Sequence, residues 1–253
     1  MDAGEIKLGK DFDKNSDRLK SWFLGTVKSG SWKTAKVPKK INDQFAEDMI
    51  KSYREIGNAS ANMTIDQIES ETPNRLKAEL VPDWELTFEE SVQIQSERIF
   101  ESAGITNAEI LGKAKAVIIQ GLADGLSVEE QIRLLDDVFP DFSNARKEVI
   151  VRTNSSEATN WGRMSVMKED KAVVGYTYWA IIDERTTDIC DSLDGKHFKK
   201  TDSDFGSIVP PNHYGCRSYL EPVYAWDDSP RYNSSDKFTN LVPDEFQTTP
   251  AGF

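Results

Sequence analysis

Residues 176–223 read YTYWAIIDERTTDICDSLDGKHFKKTDSDFGSIVPPNHYGCRSYLEPV, and the rest of the chain is interpreted outward from them. Tyr176–Ile182 is dense in β-branched and aromatic residues and reads as a strand. Asp194-Gly195 is a turn signal, which sets up a short strand from Lys196 to Lys199. Pro210-Pro211 forces an extended approach to His213, and Arg217 to Val223 reads as a closing strand. Both cysteines and both histidines of the whole chain fall in this stretch, spaced Cys190-x6-His197-x15-His213-x2-Cys216. The His213-x2-Cys216 pair lets two ligands converge from one tight loop while Cys190 arrives from an adjoining segment. Thiolate and imidazole together suit Zn²⁺, which takes four ligands in a tetrahedron. For the fourth ligand the residues leave two choices, His197 and Asp183, the latter at the end of the first strand. Asp188, Asp191 and Asp194 crowd the same loop but read as a solvated surface cluster. A Cys190–Cys216 disulfide and a pair of buried, unmetallated thiols are the competing readings of the cysteines.

Upstream the texture is helical. Ile41, Phe45, Met49, Ile50 and Tyr53 share one face. Phe88 to Ala103 is expected as a helix with Phe88, Val92 and Ile99 inward and Gly104 ending it. Thr106 to Glu109 has the form of a capping box opening a helix through Ile110, Leu111, Ala114, Val117, Ile118 and Leu122. Ser127 to Glu130 is another, with Ile132, Leu135 and Phe139 following and Pro140 as the stop. A further start near Ser143 leads through Ile150, Ala158 and Trp161 to about Met167. These apolar stripes are core faces. The fold class expected is α+β: a mainly helical body followed by a small β-rich module stabilised by zinc. The divisions are a basic arm over 1–40, a helical body over 41–170, the β-rich module over 171–225 and an extended tail over 226–253.

The chain has 253 residues, 38% of them hydrophobic and 29% charged, with 31 Lys and Arg against 43 Asp and Glu. The net charge is −12. Residues 1–40 hold ten basic and five acidic residues, a local +5, which leaves −17 for the remainder. Trp22, Phe23 and Trp32 are interspersed there, so the segment reads as a partner-binding arm with aromatic anchors, or as a loosely packed extension. A body of that acidity argues against nucleic-acid binding outside the arm. No apolar run approaches the ~18–20 residues of a bilayer span. Two cysteines exclude a disulfide-framed secreted fold, and the opening MDAGEIKLGK has no apolar leader, so a reducing cytoplasm is the expected compartment.

Asp183-Glu-Arg185-Thr186-x3-Cys190-x2-Leu193-x-Gly195-Lys196, followed by Pro210-Pro211-x-His213-x2-Cys216-Arg217-Ser218, resembles the signature of the phage Mu F-like minor head proteins, the tailed-phage head morphogenesis family. Gly121-Leu-Ala-Asp-Gly125-Leu-Ser127 and Val151-Arg152-Thr153-Asn154 through Ala158, Asn160 and Gly162-Arg163 are similar to the family's helical half. The resemblance covers about residues 110–222. It implies a non-enzymatic minor structural protein of the virion head, made in the host cytoplasm during assembly. The partners implied are the portal protein and the major capsid or scaffolding protein, with packaged DNA reached through the basic arm. It also carries the site positions onto Asp183, Arg185, Thr186, Cys190, His213 and Cys216. Position 197 is usually apolar in the family, which turns the preference for the fourth ligand from His197 to Asp183. Ser218 stands where the family often has a further Cys, which marks that position as a non-essential ligand. Arg185 and Arg217 are expected to orient nearby carboxylates by hydrogen bonds.

Two other functions fit parts of the pattern. A zinc enzyme of hydrolase type would keep water on the metal with Asp183 or Glu184 as base, but no H-E-x-x-H or deaminase arrangement is present. A zinc-stabilised DNA-binding module meets the charge problem that residues 176–222 carry five basic and eight acidic residues.

Overall fold

Leu8, Phe12, Leu19, Phe23 and Val27 recur at four and seven residues, and in the computed structural model all five are at most 3% exposed. They form the inner face of α1, Ala3–Lys28, so residues 3–28 are a packed helix and not an arm. The stripe is hard to see in the sequence because Asn15 and Ser16 interrupt it, and both are buried with it. The structure describes residues 3–73, 84–228 and 230–247. After a 3₁₀ turn at Trp32–Thr34 come three long helices: α2 Lys39–Glu71, α3 Trp84–Ala123 and α4 Val128–Glu169.

Several expected helix ends lie inside these rods. Gly104 does not end a helix, and Thr106–Glu109 opens none, because α3 runs through both. A mid-helix glycine costs only about 1 kcal/mol relative to alanine. Thr106 is buried inside the helix, and its neighbour Asn107 accepts from Asn15 Nδ2 at 2.7 Å and donates to Asn42 Oδ1 at 2.8 Å. Pro140 likewise sits inside α4 and the start near Ser143 is interior to it. Proline forfeits one main-chain hydrogen bond, and burial of Leu135 and Phe139 on the preceding turn offsets the loss. The Ser127 box is real. Glu130 accepts the Ser127 N–H at 2.7 Å and the Ser127 hydroxyl accepts the Glu130 N–H at 3.3 Å.

The chain divides into two compact units, Met1–Ser52 with Gln95–Val151, and Tyr53–Ile94 with Arg152–Phe253. These bounds cut across the divisions drawn from composition. In the first unit the Phe12 ring meets Phe45 edge-on at 5.6 Å, beside the Asn15–Asn107–Asn42 ladder. In the second, α2 and α4 cross at two glycines: a methyl on Gly162 would overlap the main chain of Gly57, and one on Gly57 would overlap the Phe88 ring. The Ser60 hydroxyl donates to the Thr159 carbonyl at 3.0 Å at the same crossing.

The second unit also holds the sheet, which makes the protein α+β. β1 (Val173–Trp179) is central, antiparallel to β2 (His197–Lys199) and to β3 (Tyr219–Tyr224). β4 (Tyr232–Asn233) adds in parallel to β2, giving the order β3-β1-β2-β4. The first strand lies earlier than its apolar run suggested, and Ile181 and Ile182 are exposed in the following loop. Residues 230–247 are not an extended tail. They supply β4, the short helix α6 (Asp236–Thr239) and buried Val242 and Phe246. Residues 248–253 of that segment lie outside the described residues.

Gly162→Ala forces the α2–α4 crossing apart and is expected to cost about 2–3 kcal/mol in urea unfolding. Gly25→Ala, where a methyl meets nothing within 4 Å, is the control and is expected to stabilise by about 0.5–1 kcal/mol. Equal effects at the two positions would refute the close crossing.

Candidate metal centre

Cys190 sits on a six-residue helix, α5 (Asp188–Leu193), whose start is capped by the Thr187 hydroxyl accepting the Cys190 N–H at 3.5 Å. Leu193 is fully buried, which seats that helix and turns the Cys190 side chain inward. The other two donors come from the loop leading into β3. The Cys216 N–H returns to the His213 carbonyl at 3.3 Å, closing a tight turn. Gly215 makes the turn possible with φ of +73°, a region that costs other residues about 1–2 kcal/mol.

These local structures bring Cys190, His213 and Cys216 together, with their ligand atoms all within 4.8 Å of one another. Cys190 Sγ lies 3.1 Å from His213 Nε2 and 3.8 Å from Cys216 Sγ, and both thiols are free. Two thiolates at about 2.3 Å from a tetrahedral zinc would stand about 3.8 Å apart, so the sulfur spacing fits that ion. The Nδ1–H of His213 donates to the Tyr214 carbonyl at 3.0 Å. That bond fixes the tautomer of the neutral ring and leaves the Nε2 lone pair facing the sulfurs, as a metal-ligating imidazole requires.

Polar groups complete the pocket. The Tyr178 hydroxyl, fully buried on β1, stands 3.4 Å from Cys190 Sγ and accepts from Asn212 Nδ2 at 3.0 Å. Asn212 and Ser218 direct main-chain N–H groups at the Cys216 sulfur, and the Ser218 hydroxyl lies against Cys190. The Cys216 thiol, His213 and Ser218 all hydrogen-bond Cys190, which holds its pKa well below the ordinary thiol range. The hydrogen bond with Cys190, together with burial and the charge on Cys190, pushes Cys216 well above that range. Contact with Cys190 raises His213 against the opposing effect of burial. Burial pushes the Tyr178 phenol up. A divalent cation among these donors would displace the thiol proton that Cys216 otherwise retains.

The remaining expected site residues stand apart from this group. Asp183 is exposed and its carboxylate is gripped by Arg217 through two contacts of 2.5 and 2.6 Å. The Arg185 N–H donates to the same carboxylate at 2.8 Å, and Arg217 beside it holds the Asp183 pKa well below the usual carboxylate range. The Thr186 hydroxyl accepts the Asp183 N–H at 2.7 Å and donates to the Ile181 carbonyl at 2.9 Å. Asp183, Arg185 and Thr186 therefore form a closed turn, clipped by Arg217 to the residue after Cys216. His197 is on β2, where Nδ1 meets the Thr177 hydroxyl at 2.9 Å across the strand pair.

Sequence reasoning missed Tyr178, Asn212 and the anchoring residues of α4. The Gly215 N–H donates to the Thr153 hydroxyl at 2.9 Å. Asn160 Nδ2 donates to the Ser218 carbonyl at 3.1 Å, and Arg163 Nε donates to the Leu220 carbonyl at 2.8 Å. All three lie on the Val151–Arg163 segment whose resemblance was noted without a role. The alternation of β1 places Tyr176 and Tyr178 on one face, which was the available signal for the phenol.

Comparison with known proteins follows the same segment. Residues 113–221 match the family model described as Phage Mu protein F like protein. The Mu-like prophage FluMu F protein of Haemophilus influenzae is 27% identical over 154 residues, covering 53% of this chain and 37% of that relative. The chain thus spans well under two thirds of the curated relative it matches. No solved structure matches. Both comparisons agree with the resemblance drawn from the motif: residues 113–221 are similar to the phage Mu F-like family.

Thr153→Val removes the acceptor of the Gly215 N–H and is expected to cost about 1–2 kcal/mol. Amide exchange should quicken at Gly215, with protection retained along the apolar face of α4. Unchanged exchange at Gly215 would show that the loop is not held from the helix.

Proposed function

We propose that this chain is a non-enzymatic minor structural protein of a tailed-phage head, working at the portal or the inner capsid during procapsid assembly, with its C-terminal module held by a zinc ion. The observation that carries the reading is the convergence of Cys190, His213 and Cys216, the positions that the phage Mu F-like motif supplies, within the segment that the family model matches. Zinc closes three chain segments that are short on their own: β2 has three residues, β4 two and α5 six. Elements this short gain stability from such a cross-link. Cys190, His213 and Cys216 are the proposed ligands. Asp183 reaches the ion only by giving up Arg217, so a hydroxyl of Tyr178 or Ser218, or water, is the proposed fourth donor.

The support for the non-enzymatic reading is the engagement of the candidate base. Asp183, the obvious general base, is committed to Arg217. The proposed partner of the N-terminal region is a protein surface and not DNA. Lys14 and Arg18 pair with Asp48, and Lys20 pairs with Asp136, so those cations are already engaged. No helix of the described residues is long and apolar enough to cross a membrane.

Purified protein is expected to hold about one zinc per chain. Cys190→Ser, His213→Asn and Cys216→Ser should each lose it and lower the unfolding temperature. Asp183→Asn should keep it. Metal-free protein with stability unchanged by a chelator would overturn the zinc assignment. For the assembly role, the protein should appear at fixed copy number in procapsids, and its loss should leave heads that fail to mature. Normal, infectious particles lacking the chain would overturn that role.

A further inference from the structure

Of the large hydrophobic side chains that the structure leaves open, Phe100, Ile105, Ile119 and Leu122 gather on one helix, α3, at 40%, 51%, 59% and 48% exposure. Ala108, Gly112 and Ala116, between the two isoleucines, are exposed as well. At 100° per residue, Ile105, Ala108, Gly112, Ala116 and Ile119 all point within about 40° of the Gly112 direction. This is one continuous apolar ridge, low in its middle and high at its ends.

The ridge is a palindrome. Its residues stand at −7, −4, 0, +4 and +7 from Gly112 and read Ile, Ala, Gly, Ala, Ile. A second copy of the same helix running the opposite way meets that pattern residue for residue. Ile105 then faces Ile119 of the second copy, Ala108 faces Ala116, and Gly112 faces itself. A methyl on Gly112 would meet nothing within 4 Å in the single chain, so its missing side chain is not required by the chain's own packing. Small residues at a crossing allow helix axes to come close.

The charges agree with the same symmetry. Glu109 and Lys113 are exposed on one flank of the ridge. In an antiparallel pair centred on Gly112, Glu109 of one copy falls within about one turn of Lys113 of the other, twice over by symmetry. On the opposite flank Lys115 is turned away, donating to the carbonyls of Lys33 and Ala35 at 3.3 and 2.7 Å. We propose that α3 is a self-pairing surface, on which two copies of this chain associate antiparallel about a two-fold axis beside Gly112.

The test is sedimentation equilibrium of the full chain from about micromolar to about millimolar concentration. The wild type should be a concentration-dependent dimer. Gly112→Leu should raise the dimer dissociation constant by at least about tenfold while leaving the unfolding temperature equal or higher, since the site is open and helical. Glu109→Lys and Lys113→Glu should each weaken the dimer, and the double exchange should restore it. A wild type that stays monomeric throughout overturns the proposal. So does a dimer indifferent to Gly112→Leu, which would place the interface elsewhere. A monomer whose incorporation into particles is lost in Gly112→Leu also overturns self-pairing, because the ridge then serves a different protein.

Discussion

Everything in the C-terminal module depends on one buried point where Cys190, His213 and Cys216 meet. A short helix, a tight turn and the start of β3 all end there. The sheet supplies part of the frame, with β1 paired to β3 along most of its length and to β2 over Gly175, Tyr176 and Thr177. The sulfurs and the imidazole fix the loops that the sheet does not reach. Tyr178 links the two systems, since its ring is in the sheet core and its hydroxyl is at the thiol. Outside the cluster, the Asp183–Arg217 pair ties the loop before Cys190 to the residue after Cys216. It is exposed, so its part is geometric and not a large contribution to stability.

The same module is fastened to α4 by three polar contacts, from Thr153, Asn160 and Arg163, spaced along one side of the helix. Each satisfies a main-chain group of the loop or strand that follows His213. Arg163 is largely buried, and burial depresses its pKa while nearby Glu221 opposes that effect. Gly162 lies between these anchors and lets α2 approach closely on the other side. The helical and the cysteine-containing halves of the phage Mu F-like segment are therefore one structural device. This explains why the family match spans both, from residue 113 to residue 221.

What the sequence disclosed and what it hid follow from physical differences between the residues. The clustering of Cys and His is a chemical signal that survives without coordinates, because few structural roles require those residue types at that density. The Ser127–Glu130 box was legible because both of its hydrogen bonds are local. The identical-looking Thr106–Glu109 pattern misled because Thr106 is buried in mid-helix, next to Asn107, which bonds to Asn15 and Asn42, 92 and 65 residues away. Gly104 and Pro140 misled for a related reason: tertiary burial around a long helix outweighs a local cost of a few kcal/mol. α1 was hidden by buried Asn15 and Ser16 in the middle of its apolar stripe. Asp183 drew attention as a ligand through its position beside the cluster, whereas the carboxylate that Arg217 grips, expected from the sequence only as a nearby one, is Asp183 itself, 34 residues away.

The most direct measurement is X-ray absorption at the zinc edge of the purified chain. The account predicts a first shell of two sulfurs at about 2.3 Å and light N/O ligands, one of them an imidazole, at about 2.0 Å. A shell without sulfur, or a protein that binds no zinc at all, would contradict it.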